Sequence, residues 1–600
     1  MWLGLALLLL VLLIEAVTIG RALGDLKKGS DILAAAVRGL GTSPQGWTAD
    51  HIAMADSQVN QARPMIESGR SRIEADPLLQ AAARLPVIGD QVTAVSDLAD
   101  TGETSSSVIA DYLVIAREYE AARGQQGPPG PRLVALLKKS AAPLSDADAR
   151  LTQQMPALRR DQERPLLPPL RDRVRRAVDT LGPMQQKTSG AAAAVPLIPR
   201  AIGSARPQRY LLLFANPAEL RPAGGYVGVL GTVTLSNGAV QDLHIQSEQS
   251  YSRQIKQPFD TPPPLARFFN VQKAPFALGE AGWDPNFPAS AALSERMFKA
   301  ATGSDVDGTI SLDPYAISAL LAITGPVDVP GYGRFNEQNF FPQIDFIVNV
   351  KQGPASGKEA LPVIARVILQ KILEQPVGSW AKMLGALQQQ AGGRHIQTYL
   401  HDAALQSRVA AAHYDGAILT GGDDSVMAVD ANVSASKSDY YLTKSAEIKA
   451  ELSPSGVSRH EILLHYRLPL PVDNTDRALS PNDHGAYLDY VRVYLPETAS
   501  APTWSFSQDS GPVFAGLDTI EVVNGKKVVS GSFRLPRGQT GTVKIDYDLP
   551  LDGAARRYEL LVQKQAGIPA RPTTLQVSFP GGQATRSSQL KTDASMVVTW

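Results

Sequence analysis

The chain has 600 residues, and its 58 Lys plus Arg residues balance 58 Asp plus Glu residues, so the formal net charge is zero. This balance excludes a protein that coats nucleic acid through bulk charge, because such binding needs a dense basic face, and we expect no nucleic acid partner. The lack of cysteine excludes disulfide bonds, thiolate metal sites and a cysteine nucleophile.

The first predicted element is a membrane anchor over residues 1–20. Residues 2–14 contain no polar side chain, Glu15 interrupts them, and residues 16–20 continue to Gly20, which together gives about 19 residues, near the length that spans a bilayer as a helix. We expect Glu15 to lie near a helix end or to be neutralised, because a carboxylate at the bilayer centre is costly. A secretory signal peptide is the alternative, but the run has neither a basic start nor a small-x-small cleavage site. The basic residues from Arg21 to Arg38 would by themselves keep the body cytoplasmic, so charge alone leaves the orientation open.

A helical stalk region is predicted over residues 21–190. Apolar residues recur there at helical spacing, and we expect Pro64, Pro77 and Pro86 to divide the region into several helices. The stretch 124–131, which is rich in glycine and proline, predicts a break between helices. Two later basic runs are interpreted as solvated helix faces, with binding of lipid headgroups or polyanions as the alternative.

Residues 191–421 are predicted to form a layered α/β core. The continuous apolar run 209–215 is typical of a buried strand, and Asn237-Gly238 predicts the turn of a β-hairpin. Asp313 precedes a helical segment that starts with a proline, so it is predicted to be the N-cap of that helix. Strands and helices are mixed without strict alternation, so the class of this region is α+β or a layered α/β/α unit.

Residues 422–600 are predicted to form a β-rich sandwich domain. Short runs with period-two alternation follow one another there, and a second Asn-Gly pair, Asn524-Gly525, predicts another hairpin. The predicted fold class is therefore α+β multidomain. It combines an N-terminal transmembrane helix and helical region, a central layered α/β core and a C-terminal β-sandwich.

One loop carries the strongest candidates for ligand binding. It leaves the buried strand, turns through a double glycine and re-enters a strand, and strand ends are where sites gather in layered α/β folds. Arg221 offers a rigid five-donor fork suited to phosphate or carboxylate, and the glycines would let backbone N–H groups approach a ligand. The alternative is a turn fastened by a bridge from Arg221 to Glu219 or to an aspartate. The candidates in this loop are Asn216, Glu219, Arg221, Gly224 and Gly225.

A second polar cluster, Lys437 with Asp439, precedes the β-rich region, and its alternative interpretation is an Asx-type turn. If the site handles phosphate, Asp284 and Asp313 are the candidate metal ligands, because Mg²⁺ prefers oxygen ligands. Lys437 or Arg334 could then supply a second cation. Without that chemistry no cofactor is expected.

At these residues the chain resembles the bacterial domain-of-unknown-function family 4012. The matching pieces are YLLLFANPAELRPAGGYVG from Tyr210, WDPNFPASA from Trp283, the segment 306–331, and DANVSASKSDYYL from Asp430. The resemblance implies an envelope protein with a single N-terminal span in the cell membrane, a helical stalk, and the bulk of the chain outside the cytoplasm. The family has no established activity.

The segment from Val306 to Val329 is also similar to LytR–CpsA–Psr proteins, which are membrane-anchored phosphotransferases that move glycopolymers from a polyprenyl diphosphate to the cell wall. That similarity implies arginines that grip the diphosphate and aspartates that hold magnesium. Asp313 stands at the corresponding helix start, and Gly325-Pro326-Val327 stands where those proteins have Gly-Gly-Val. The chain lacks their Arg-x-Asp-Thr and Pro-Arg-Asp segments, so the loop with Arg221 would have to substitute.

Two classes of function are consistent with these observations. One is a non-catalytic envelope module that binds or scaffolds cell-wall polymers or partner proteins. The alternative is a phosphotransferase that moves a polyprenyl-diphosphate-linked glycan, with Mg²⁺ as cofactor, so the sequence leaves open whether the chain is an enzyme. The expected partners are the membrane, through the N-terminal helix, and a cell-wall glycopolymer or a polyprenyl-phosphate lipid. An apolar tunnel beside several cations would favour the enzyme, and a shallow polar surface would favour the binding module.

Overall fold

The computed structural model describes residues 21–39, 47–126, 128–269, 276–348, 353–419, 424–434, 436–454, 456–469, 486–551 and 556–600. Within these ranges no helix combines the length and the apolar character that crossing a bilayer requires. The predicted fold class is therefore wrong for the described part of the chain, which is a mixed α/β structure with several sheets and has no transmembrane helix. The predicted anchor over 1–20 lies outside the described residues. The physical reason is that the long helices bury one stripe of small and apolar residues and expose charged residues elsewhere, so they pack on each other.

The chain divides into two compact units. The first unit runs to Pro207 and also takes in Ser236–Ala239 and Pro376–Ala381. The domain boundaries predicted from the sequence stay predictions. The described helices up to Pro207 are α1 (21–39), α2 (Ala49–Glu74), α3 (Pro77–Ala82), α4 (Ile88–Gly124), α5 (Pro129–Glu163), α6 (Pro168–Ala194) and α7 (Ile198–Ala201).

Helix α2 shows why these segments are helical. The Thr48 hydroxyl caps its first turn by accepting from the His51 backbone N–H at 3.3 Å, and a buried apolar stripe from Ile52 to Ile73 recurs every three or four residues. Pro64 lies inside α2 and does not end it, contrary to the prediction. Pro77 does begin α3, and the predicted break at 124–131 separates α4 from α5.

The second unit contains a five-stranded mixed sheet with the order β3-β2-β1-β4-β7, beside a two-stranded sheet of β5 and β6. The strands are β1 (Gln208–Asn216), β2 (Tyr226–Ser236), β3 (Ala239–Ser247), β4 (Gly308–Leu312), β5 (Val327–Val329), β6 (Gly333–Phe335) and β7 (Ile396–Leu400). Strands β1 and β4 are parallel, with Phe214 opposite Leu312. Asn216 and Asp313 therefore lie at the same edge of the sheet.

The helices after α7 are α8 (Glu248–Ser252), α9 (Pro263–Phe269), α10 (Phe287–Thr302), α11 (Pro314–Thr324), α12 (Phe340–Phe346), α13 (Gly353–Leu373), α14 (Val377–Gly392) and α15 (Ala403–Ala411). Helix α11 begins directly after β4, because Asp313 accepts hydrogen bonds from the backbone N–H groups of Tyr315 and Ala316. The predicted N-cap is confirmed.

The remaining strands form two six-stranded sheets, with the orders β12-β15-β10-β9-β17-β18 and β13-β14-β11-β8-β16-β19. One core contains apolar residues of both sheets, including Ile448 and Ile462 from the first and Val491 and Phe533 from the second. The strands are β8 (Asp424–Val429), β9 (Thr443–Glu451), β10 (Val457–Arg467), β11 (Tyr487–Pro496), β12 (Ser505–Gln508), β13 (Phe514–Val523), β14 (Lys526–Leu535), β15 (Thr540–Pro550), β16 (Arg557–Gln563), β17 (Thr573–Phe579), β18 (Gly582–Ser588) and β19 (Ala594–Thr599).

Candidate functional site

A cavity of about 240 Å³ lies at the edge of the five-stranded sheet where β1 and β4 end. Strands β1, β2 and β4 supply one part of its wall, and helices α11, α12 and α13 supply most of the rest. Glu219, from the turn after β1, and Lys437, from the segment before β9, complete it. Most of the lining is carbon: Phe214, Ala215, Val229, Leu312, Ile317, Phe340, Phe341, Ile344, Val348, Leu361, Ile364 and Ala365. Such a lining retains an apolar group and disfavours a glycan, whose hydroxyl groups would lose hydrogen bonds to water.

Four polar residues of the lining form one connected group, which we call the polar group: Asn216, Glu219, Asp345 and Lys437. The Asn216 side-chain amide donates to Glu219 Oε1 at 3.2 Å. The Lys437 ammonium lies 3.4 Å from Asp345 Oδ1 and 4.0 Å from Glu219 Oε1. The one lysine of the lining therefore faces two carboxylates.

The start of the loop after β1 is fixed by local hydrogen bonds. Asn216 Oδ1 accepts from the Ala218 backbone N–H at 3.2 Å, which starts a 3₁₀ turn over Pro217–Glu219. This turn brings Glu219 to the cavity. Further along the loop, Gly225 has a φ of +147°, and a Cβ there would lie 2.3 Å from the Asn216 carbonyl oxygen. The close approach of Gly225 is thus to the end of β1, and neither Gly224 nor Gly225 is part of the cavity lining.

Arg221 does not line the cavity. Its guanidinium forms a two-bond ion pair with Glu280, with Nε 2.6 Å from Oε2 and Nη2 2.8 Å from Oε1. Nη1 donates to the Asn432 and Leu220 carbonyl oxygens at 2.9 and 3.2 Å. Burial by itself would lower the pKa of Arg221, but the Glu280 carboxylate outweighs it and the pKa is raised. The Arg221 guanidinium is thus already paired within the protein. Its partner is the Glu280 carboxylate, and not Glu219 or an aspartate as the alternative interpretation had it.

The two candidate magnesium ligands serve other purposes. Asp313 lines the cavity, but one of its carboxylate oxygens caps α11 and the other lies 2.6 Å from His395 Nδ1. Asp284 is not part of the lining, and its Oδ1 accepts from the Asn286 backbone N–H at 2.8 Å. Burial raises the pKa of Asp284, which makes its charged form less favourable.

The described residues contain no group of three or more His, Asp or Glu side chains that could hold a metal ion. Asp313 lines the cavity and Asp284 does not, so the structure does not bring the two candidates together, and the magnesium site stays a prediction. The other proposed cation, Arg334, is exposed on β6 beside Asp328 at 3.6 Å and does not line the cavity.

Asp439 belongs to a buried ionic cluster. Its Oδ2 accepts from the Leu220 backbone N–H at 3.2 Å and from the Asn432 amide at 2.8 Å, while Oδ1 accepts from the Lys444 ammonium at 2.9 Å. Lys444 also contacts Asp430 Oδ2, and Arg571 contacts the same oxygen. Burial would raise the pKa of Asp430, but Arg571 and Lys444 outweigh it and the pKa is lowered. Asp439 thus fastens the loop after β1 to the segment before β9, and it also borders a second, smaller cavity of about 120 Å³.

The sequence prediction missed several residues around the cavity. Asp345 is a lone charge in the apolar run of α12, and an isolated charge in such a run is a usable signal for a polar contact inside the fold. Tyr226 donates to Glu248 at 3.0 Å, and His395 pairs with Asp313. No sequence signal marks these two pairs, because their partners are distant along the chain.

A family model described as Protein of unknown function (DUF4012) matches residues 205–345. The match supports the resemblance to that family over this part of the chain. The matched segment contains β1, the loop with Arg221, β4, α11 and most of α12, and thus much of the cavity wall. No curated protein and no solved structure matches the chain.

Proposed function

We propose that the protein is a non-catalytic binding protein of the bacterial cell envelope, and that the cavity beside β1 and β4 takes the apolar part of its ligand. The observation that carries this proposal is the carbon lining of a 240 Å³ space. A dry cavity of about 150 Å³ holds benzene, so this cavity has room for about nine or ten non-hydrogen atoms. The ligand is then a small amphiphile or one end of a longer apolar chain.

The cellular setting is the less direct part of the proposal. The sequence resemblance implies an envelope protein whose body lies outside the cytoplasm, and the family match supports the resemblance itself over residues 205–345. A lipid-like chain is a ligand that such a location offers, and it fits the cavity better than a cell-wall glycan does. A glycan or a partner protein would bind the outer surface of the protein.

One observation favours the second candidate function, the transfer of a polyprenyl-diphosphate-linked glycan: the cavity is apolar, as a lipid site of that enzyme would be. The charges count against it. A diphosphate needs several cations around it, whereas the lining offers Lys437 alone, between Glu219 and Asp345. Arg221 is occupied by Glu280. We therefore give the binding function precedence.

The test is to isolate the full chain from fractionated cells, extract it with organic solvent and identify bound compounds by mass spectrometry. We expect the chain in the envelope fraction, with an apolar compound bound at about one molecule per chain. Ala365→Phe places a ring in the cavity and should lower the bound amount several-fold. Val363→Phe, on the exposed side of the same helix, is the matched control and should leave it unchanged.

Two other results would count against the proposal. Equal amounts of extracted compound from wild type and Ala365→Phe would show that the compound is not in the cavity. A polyprenyl phosphate that is lost in Ala365→Phe would instead give precedence to the phosphotransferase.

A further inference from the structure

The polar group of the cavity carries an excess of negative charge. Asp345 and Glu219 lie 3.4 and 4.0 Å from the single ammonium of Lys437. A third carboxylate of the lining, Asp313, is held beside His395. The lining thus contains three carboxylate side chains and a single ammonium side chain.

This excess determines which head groups could sit beside the polar group. An anionic head would approach Lys437 only by displacing or facing two carboxylates in a partly buried space, where like charges repel more strongly than in water. A head that donates hydrogen bonds would instead find acceptor oxygens on Glu219 and Asp345, which are partly exposed. Asn216 steadies Glu219 through its amide and leaves the carboxylate charge in place.

We propose that the ligand of this cavity is an amphiphile whose head group donates hydrogen bonds and carries no negative charge, that is, a hydroxyl or an amine on an apolar chain. This inference rests on the proposed function, since it assumes that the cavity binds an apolar chain. It goes beyond that function because it selects the chemical class of the head group.

Three probes share an octyl chain and differ in the head group: octanol, octylamine and octyl phosphate. They separate the claim that the cavity binds an apolar chain from the claim about the head group. Titration calorimetry of the full chain measures the three dissociation constants, and Ala365→Phe shows which binding belongs to the cavity. We expect octylamine and octanol each to bind at least about tenfold more tightly than octyl phosphate, a difference of about 1.4 kcal/mol. Whichever of octylamine and octanol has the lower dissociation constant shows whether the head group of the ligand is an amine or a hydroxyl.

Neutralising the two carboxylates of the polar group should reverse the preference for octylamine over octyl phosphate. The double variant Glu219→Gln with Asp345→Asn keeps the shape of both side chains and leaves Lys437 as the main charge of the polar group. We expect it to bind octyl phosphate at least about tenfold more tightly than wild type does and octylamine more weakly. Asp328→Asn removes an exposed carboxylate that does not line the cavity, and it is the matched control with wild-type affinities.

The outcomes remain distinguishable. If none of the probes binds, or if their binding is unaffected by Ala365→Phe, the proposed function fails and this inference fails with it. If wild type binds octyl phosphate most tightly and Ala365→Phe abolishes that binding, the cavity is a binding site but the head-group inference is wrong. The wild-type ranking alone decides this, so the inference stays testable even if the double variant does not fold.

Discussion

Arg221 and Glu280 form an ion pair in which the arginine side chain is only 3% exposed and the glutamate 17% exposed. Removing one member of such a pair leaves an uncompensated charge in a medium that solvates it poorly, whereas the pair itself contributes little net free energy. The guanidinium also donates to the carbonyl oxygens of Leu220, its neighbour in the chain, and of Asn432, which is 211 residues further along. Arg221 therefore stabilises the loop after β1 by linking it to Glu280 and to the Asn432 carbonyl oxygen.

Arg221→Ala should lower the free energy of unfolding of this unit by about 3–5 kcal/mol, because it leaves the Glu280 carboxylate without its partner and removes the Arg221 bond to the Asn432 carbonyl oxygen. Arg221→Lys should fall between the alanine variant and wild type, since lysine keeps the charge but loses the two-bond geometry. Denaturant titration followed by tryptophan fluorescence measures both changes. Trp283 is the last residue of the 3₁₀ segment that contains Glu280, and its fluorescence can report on that segment.

Glu219→Gln is the matched control for Arg221→Ala. It neutralises a carboxylate in the same loop that does not form the ion pair, and its effect on stability should stay below about 1 kcal/mol. If Arg221→Ala has the free energy of unfolding of wild type but no longer binds the ligand, the structural role is contradicted and Arg221 belongs to the binding site.

The residues that could be predicted from the sequence are those whose partners are neighbours. Asp313 was predictable as an N-cap because capping involves only the next three residues and a following proline. The partner of Arg221 was not predictable, because Glu280 is 59 residues away and lies in an irregular segment. The cavity lies between β1 and the helices α11, α12 and α13, which are distant along the chain. A sequence pattern therefore located one wall of the cavity, at the end of β1, and not the cavity itself.

Within helix α5, Asp161 is a buried carboxylate without a hydrogen bond to either oxygen. Arg164 lies 3.0 Å from its Oδ1, but the contact lacks hydrogen-bond geometry. Burial, and next the neighbouring Asp97 carboxyl, raise the pKa of Asp161 to about 7. The position near the C-terminal end of α5 also disfavours a negative charge.

The raised pKa predicts how the stability of the helical unit changes with pH. Between the ordinary aspartate pKa and about 7, folded Asp161 binds more protons than unfolded Asp161, so the free energy of unfolding falls as pH rises through this window. We expect a loss on the order of 2 kcal/mol from about pH 4.5 to about pH 8. Asp161→Asn should remove most of this loss and should be more stable than wild type at the upper end.

Circular dichroism of helix unfolding in denaturant, at both ends of this pH range, provides the measurement. Glu163→Gln is the control, because Glu163 is exposed on the same helix and its neutralisation should not change the pH dependence. A wild-type stability that rises over this range would mean that Asp161 is ionised and stabilised in the folded protein.

Among the elements, hairpins were the easiest to predict. The Asn237-Gly238 turn joins β2 to β3, and both residues have positive φ, as the Asn524-Gly525 pair does between β13 and β14. Proline was a weaker guide. Pro64 costs α2 one hydrogen bond, about 3 kcal/mol or more in an isolated helix, yet the buried stripe on both sides of it holds the helix together.

Strand order was the feature that sequence patterns could not supply. Strand β8 pairs in parallel with β16, and β9 pairs in parallel with β17, although more than 120 residues separate the members of each pair. Period-two alternation identifies which face of a strand is apolar, but it contains no information about which strand lies beside it. The two six-stranded sheets are thus defined by long-range packing of their shared core.

At the scale of the whole molecule, the second unit holds everything that the proposed function needs. The described strands pair with one another within residues 208–600, and the described residues that line the cavity lie between Phe214 and Lys437. The shared core of the two six-stranded sheets likewise lies within the second unit. Nothing in the lining comes from the helical residues that precede β1.

A fragment of residues 208–600 should therefore fold by itself and bind octylamine or octanol as the full chain does, and Ala365→Phe should again lower the binding several-fold. The reason is that folding free energy comes from burial of apolar surface, and the apolar clusters around both the five-stranded sheet and the two larger sheets are complete within the fragment.

Circular dichroism should show a sheet-rich spectrum and a cooperative thermal transition. The fragment of residues 1–207 is the counterpart, with a helical spectrum and no probe binding. If the 208–600 fragment is soluble but melts without cooperativity, or if it folds and has lost the probe, the second unit depends on the helical residues and the division into two independent units is wrong.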